Sequence, residues 1–176
     1  MPAEWTLALA LTPYLAYLCY SDWRYRRLPN VLTLGGLAVA LVVRAGLDGW
    51  TGFADGAMAA GVAVLFLLLP FLVRAAGAGD LKMLAACSAF LGMDRVFAFL
   101  LYVSVAGFAV AMVLLAAHKV SAPRLVHWIR CLFDWRYDRV AGRAKLPPRE
   151  DESMRVPFGI AIAIGTWAVL IVEVIR

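Results

Sequence analysis

Long apolar stretches separated by short polar connections dominate the chain. A membrane-crossing helix needs about 20 mostly apolar residues, with a range of roughly 17–25. Six stretches approach that length: residues 5–20, 30–43 (with room to extend to 47), 54–73, 81–93, 96–117 and 156–174. The fourth is short, reaching only about 20 Å at about 1.5 Å per residue. It crosses a bilayer only if the weakly apolar run Ala75 to Gly79 is added. The first stretch does not read as a cleavable signal peptide. Its leading residues, Met1 to Glu4, carry no Lys or Arg, and no A-x-A site precedes a soluble domain. The expected fold class is all-α, a polytopic membrane protein of about six transmembrane helices, in a single integral membrane domain over residues 1–176.

Composition sharpens this reading. Hydrophobic residues make up 64% of the 176 residues and charged residues 16%, where about 45–50% and about 25% are usual for soluble domains. The mean hydropathy is +0.81. A soluble domain of this size has no interior large enough for so much apolar surface, and disordered chains are polar and charge-rich. Three widely spaced cysteines, Cys19, Cys87 and Cys131, exclude a disulfide scaffold, and no CxxC pair exists to make a zinc ribbon. The net charge of +5 does not indicate nucleic acid, since the motifs for such binding are missing.

Charge orients the spans. Lys and Arg collect in cytoplasmic connections. On a six-span reading, 14 of the 17 basic residues fall on one side: Arg24, Arg26, Arg27, Arg74, Lys82 and the nine from Lys119 to Arg155. Arg44, Arg95 and Arg176 fall on the other. Both termini are then extracytoplasmic, and the long connection at about 118–155 is cytoplasmic. Within that connection, Leu125, Trp128, Ile129, Leu132, Phe133 and Val140 are spaced for an amphipathic interfacial helix over residues 123–140. Pro147-Pro148 and the acidic run Glu150 to Glu152 then read as loop. His118 and His127 read as ordinary polar-face residues of this segment, and nothing in the sequence calls for a metal or another cofactor.

Acidic residues beside membrane helices are costly and tend to be functional. Glu4, Asp48, Asp55, Asp94 and Glu173 fall at extracytoplasmic ends, and Asp134, Asp138 and the Glu150 to Glu152 run fall in the solvated connection. Asp22, directly after the first span, and Asp80, directly before the fourth, remain. Topology puts both at the same depth on the cytoplasmic side. Each also has a plain structural reading. Asp22 has Arg26 one turn on, and Asp80 stands where an acid caps a helix N-terminus.

The surroundings of these two acids resemble a known family. Gly77-Ala78-Gly79-Asp80 followed by Lys82 is similar to the GxGD signature of intramembrane aspartyl proteases. Asp22 with Leu28-Pro29-Asn30 resembles the first-aspartate motif of the type IV prepilin peptidases, with Leu28 where Ile is usual. Pro157-Phe158-Gly159 resembles that family's Pro-Tyr-Gly segment, with Phe158 in place of Tyr. The resemblance covers essentially the whole chain. It is to the short form serving Flp (tight-adherence) pili, without the CxxC-bearing cytoplasmic domain of larger members, so their N-methylation activity is not implied.

The resemblance implies a membrane-embedded aspartic endopeptidase of the bacterial inner membrane, acting near its cytoplasmic side. Its substrates would be prepilins and pseudopilins, cut after the Gly that ends a basic leader. Asp22 and Asp80 would be the catalytic pair. Gly77, Gly79, Lys82, Pro29, Asn30, Pro157, Phe158 and Gly159 would bind substrate or support the pair. Two carboxylates a few ångströms apart share a proton. The ionised member takes a proton from the attacking water, and the protonated one donates toward the carbonyl oxygen. Lys82 and Arg26 either tune the pair, orient lipid or substrate, or are plain positive-inside charges. A small ion- or proton-coupled transporter is the competing reading, although it favours acids at the midplane and inverted repeats, and neither is evident. An inactive assembly subunit of a pilus or secretion system is a third. The expected partners are substrate and lipid bilayer, with the oligomeric state open. Gly35-Gly36 is suited to packing either against a second copy or within the chain.

Overall fold

The computed structural model describes residues 3–25, 28–72, 76–116 and 158–175. It contains five α-helices: α1 (Ala3–Tyr25), α2 (Asn30–Leu72), α3 (Ala78–Leu91), α4 (Met93–Ala116) and α5 (Phe158–Ile175). The described residues contain no strand, in keeping with the all-α expectation. The 118–155 connection, with its expected amphipathic helix, lies outside them. α2 and the stretch Met93–Val113 of α4 are long and apolar enough to cross a membrane.

The second and third expected spans both lie in α2, and a glycine separates them. Gly49 has φ 63° and ψ −144°, a non-helical conformation inside the 43-residue run. An added Cβ there would meet nothing within 4 Å, so the constraint is the backbone itself and not packing. The chain doubles back at this point. Arg44 and Asp55, 11 residues apart, form an ion pair. In an unbroken helix they would be separated by about 16 Å along the axis. Gly52 lies against the carbonyl of Arg44, and Gly56 against the side chain of Leu41. α2 is therefore a helical hairpin, with limbs of about 28 and 34 Å.

A second glycine ends α3 earlier than the apolar pattern suggests. Gly92 adopts φ 84° and ψ 175° and returns its N–H to the Ser88 carbonyl at 2.9 Å. Met93, expected to close the fourth span, instead opens α4. At its start, α3 takes in Ala78 and Gly79 of the run that precedes the fourth apolar stretch. Gly77 is extended, with φ −85° and ψ 153°, and the helix begins at Ala78. α3 therefore has 14 residues, about 21 Å.

Its surroundings explain how so short a helix is accommodated. The seven residues from Met83 to Ala89 are all buried, as is Leu91. A helix apolar all round belongs inside a bundle, where protein and not lipid meets its ends. Small residues (Ala85, Ala86, Cys87, Ser88 and Ala89) let neighbours approach closely, and Gly56 of α2 lies against the Ala89 carbonyl. Leu15 and Leu18 of α1, Ala63 and Leu67 of α2, Phe99 and Val103 of α4, and Ile162 and Leu170 of α5 join α3 in one apolar core.

Glycine notches set the remaining contacts. Tyr14 of α1 fills the space above Gly36, where an added Cβ would stand 2.3 Å from its hydroxyl, and donates to the Leu32 carbonyl at 3.2 Å. Gly36 thus packs within the chain. Gly165 of α5 takes Val103, and Gly107 of α4 takes the Phe158 ring. The described residues up to Phe108 and from Phe158 onward form one compact unit. Ala109–Ala116, the last turns of α4, belong to a second.

Large apolar side chains outside the core face outward, among them Leu65, Leu69, Phe97, Leu101 and Phe108. Exposed aromatic residues mark the end of α1 and the α2 turn. Tyr20 meets Tyr25 edge-on near exposed Trp23, and Trp50 stacks on Phe53 beside Gly49.

Candidate active site

Asp22 lies three residues before the end of α1, where a helix dipole disfavours negative charge. It is also buried, with 6% exposure. Isolated burial of a carboxylate is costly. The compensation comes from elsewhere in the chain: the Gly159 N–H, in the first turn of α5, donates to Asp22 Oδ2 at 2.9 Å. The positive end of α5 thus offsets what the negative end of α1 opposes. Gly159 must be small for this approach, because a Cβ there would fall 2.8 Å from the same oxygen. Cys19, one turn before Asp22, points its thiol at the Gly159 carbonyl across 3.8 Å. The α1–α5 junction is therefore fastened through both the N–H and the carbonyl of a single residue, Gly159.

Asp80 occupies the third position of α3, and its Oδ2 accepts the Gly77 N–H at 3.0 Å. This is the returning half of a capping box, with no side chain on Gly77 to complete the other half. The capping expected of Asp80 is thus realised. Half-buried Asp80 sits at the positive end of its own helix, as Asp22 sits at that of another. The same bundle end gathers the connection after α1. Leu28 lies over Gly79, where a Cβ would be 2.9 Å from its own, and Lys82 Nζ donates to Asn30 Oδ1 at 2.7 Å. The Pro29 carbonyl accepts the N–H groups of Leu32 and Thr33 and so starts α2.

Among the expected site residues, the structure gathers Asp22 with Gly159, Asp80 with Gly77, Asn30 with Lys82, and Leu28 with Gly79. Phe158 turns its ring onto Gly107 and serves to seat the start of α5. Pro157 and Arg26 lie outside the described residues. Two contributors were not picked out from sequence, Cys19 and Tyr14. Cys19 had a usable signal, since a residue three before Asp22 shares its helix face. Among the described residues, no cluster of three or more His, Cys, Asp or Glu is arranged to hold a metal.

The described unit is thus a helical bundle with an outward apolar surface and two carboxylates each held by the first turn of a helix. The family model of the type IV leader peptidase family matches residues 9–112, more than half of the chain, and the protein belongs to that family. The match includes both aspartates and ends before α5. No curated protein and no solved structure matches the chain. Membership makes the protein a peptidase, and with its long apolar helices a membrane protein.

Proposed function

We propose that this protein is an aspartic endopeptidase that removes the basic leader from prepilins and pseudopilins at the cytoplasmic face of the bacterial inner membrane, with Asp22 and Asp80 as its catalytic pair. The observation that carries this reading is the buried carboxylate of Asp22, held on the Gly159 N–H 137 residues away. Leu28 packs on Gly79 beside Asp80 at the same end of the bundle.

In the proposed reaction, one carboxylate is ionised and takes a proton from water as its oxygen attacks the scissile carbonyl. The other, protonated, donates toward the carbonyl oxygen, and a proton then passes to the leaving amine. The Gly159 N–H holds Asp22 Oδ2 in place by bonding to it at 2.9 Å. In the membrane, we take the two limbs of α2 with α1, α3, α4 and α5 as six spans, both termini extracytoplasmic. The basic excess beside the site end supports this orientation. Exposed Trp23 and Tyr25 at that end, and Trp50 at the α2 turn, suit the two interfaces.

The test is cleavage of a prepilin-like precursor in membranes carrying Asp22→Asn or Asp80→Asn. Both variants are expected to insert normally and to leave the precursor uncut. Normal maturation in either would overturn the reading.

A further inference from the structure

Residues 28–30, at the start of α2, are pinned to the first turns of α3 at two points. One is apolar, Leu28 against Gly79. The other is polar, Lys82 Nζ to Asn30 Oδ1 at 2.7 Å, across 52 residues of sequence. Within residues 28–30, the two contacts flank Pro29, whose ring fixes φ and whose carbonyl is tied to α2 by the Leu32 and Thr33 N–H groups, both at 3.1 Å. On α3, they flank Asp80. The contacts therefore join the start of α2, to which Tyr14 of the Asp22-bearing helix α1 is bonded through the Leu32 carbonyl, with the piece of backbone that carries Asp80.

From this juxtaposition we infer that Asn30 and Lys82 form a latch that keeps the two aspartate-bearing segments in register. They are positioning residues of the peptidase and not contacts to its substrate. The inference rests on the peptidase reading above and deepens it. A neutral amide accepting from an ammonium gives a directed bond, and the bond spans the elements whose relative placement sets the separation of the carboxylates. Misplacement of reacting groups by about 1 Å costs on the order of 100-fold in rate. A latch that allows part of that movement when opened is expected to cost about tenfold. The Leu28–Gly79 contact, which remains, limits the displacement.

The experiment measures kcat and KM for a synthetic prepilin-like peptide with the full chain in lipid nanodiscs. The variants are Lys82→Met, Asn30→Ala, the double variant and Asn30→Asp, with Asp22→Asn and Asp80→Asn alongside. The expected result is a fall in kcat of about tenfold in each single variant, with KM within about twofold, and the same fall in the double variant, since two residues of one bond are not additive. Asn30→Asp, which keeps an acceptor for Lys82, retains most of the wild-type kcat.

A rise in KM at constant kcat would assign Lys82 to substrate and overturn the latch. So would a fall near 100-fold in the double variant, single variants with unchanged kcat, or Asn30→Asp as impaired as Asn30→Ala. These outcomes, with both aspartate variants inactive, remove the latch and leave the peptidase reading standing. Cleavage at the wild-type rate by either aspartate variant removes the peptidase reading itself.

Discussion

The two ends of the helical unit use one device for different purposes. At each, a carboxylate accepts a backbone N–H from the start of a helix, and a glycine makes room for it. At the α2 turn, Asp55 accepts the Met93 N–H that opens α4, at 3.2 Å, and Gly92 is the glycine. At the other end, Asp22 accepts the Gly159 N–H that opens α5, and Gly159 is the glycine. The difference lies in what else is fixed. Asp55 is bound to the guanidinium of Arg44, supplied by the same hairpin only 11 residues away. Arg95 and Glu173 add a second ion pair between α4 and α5. That end is a brace closed by two ion pairs, one of them within the hairpin. The Asp22 end is assembled from contacts 137 and 52 residues apart, and its acids are the ones the peptidase reading needs. The same local chemistry thus appears at both ends, at one beside ion pairs and at the other around the acids that the proposed reaction uses.

The strongest challenge to this division is a change of charge without a change of shape. Asp22→Asn and Asp80→Asn are expected to lower cleavage by at least about 1,000-fold, the scale on which removing a member of a catalytic unit acts. Asp55→Asn is expected to leave cleavage per folded molecule within about twofold. Comparable loss from Asp55→Asn, measured with the same precursor, would erase the distinction between the ends.

A subtler contrast exchanges the two glycines for alanine. Gly159→Ala puts a Cβ against Asp22 and is expected to lower kcat about tenfold or more by displacing the carboxylate, since overpacking costs roughly 1–3 kcal/mol. Gly92→Ala meets Arg44 and Asp55 and also requires a positive φ, which alone costs about 1–2 kcal/mol. Its expected signature is a lower unfolding midpoint in detergent with kcat retained. Reversed signatures would show that the site end is the brace.

Smaller effects refine the picture. Arg44→Met leaves Asp55 without its cation. Breaking a fully buried pair costs about 3–5 kcal/mol, but these side chains are 22% and 31% exposed, so a loss of about 1–2 kcal/mol is expected. Arg95→Gln, at a similarly exposed pair, is expected to cost less than about 1 kcal/mol. Denaturation in a fixed detergent ranks the two, and a larger effect at Arg95 would move the weight of the brace to the α4–α5 pair.

Apolar runs and short motifs made the helices and the family legible in sequence, because each rests on local rules: how many apolar residues make a long helix and which residues precede one. The 30–43 and 54–73 stretches were visible as two limbs, and their joining at Gly49 needed only one backbone reversal. Other features depended on which surfaces meet. α3 could be short because other helices surround it, which no count of its own residues reveals. Gly159 became an anion-binding peptide only when α5 reached Asp22, and Asp55 became a cap only when the hairpin met the α3–α4 turn. Lys82 carried the same charge in either description, but its bond to Asn30 exists only once 52 residues of chain have been folded back. Local sequence sets what each segment is, and packing between distant segments sets what each side chain touches, since the free energy of those contacts depends on surfaces that are far apart until the chain has closed.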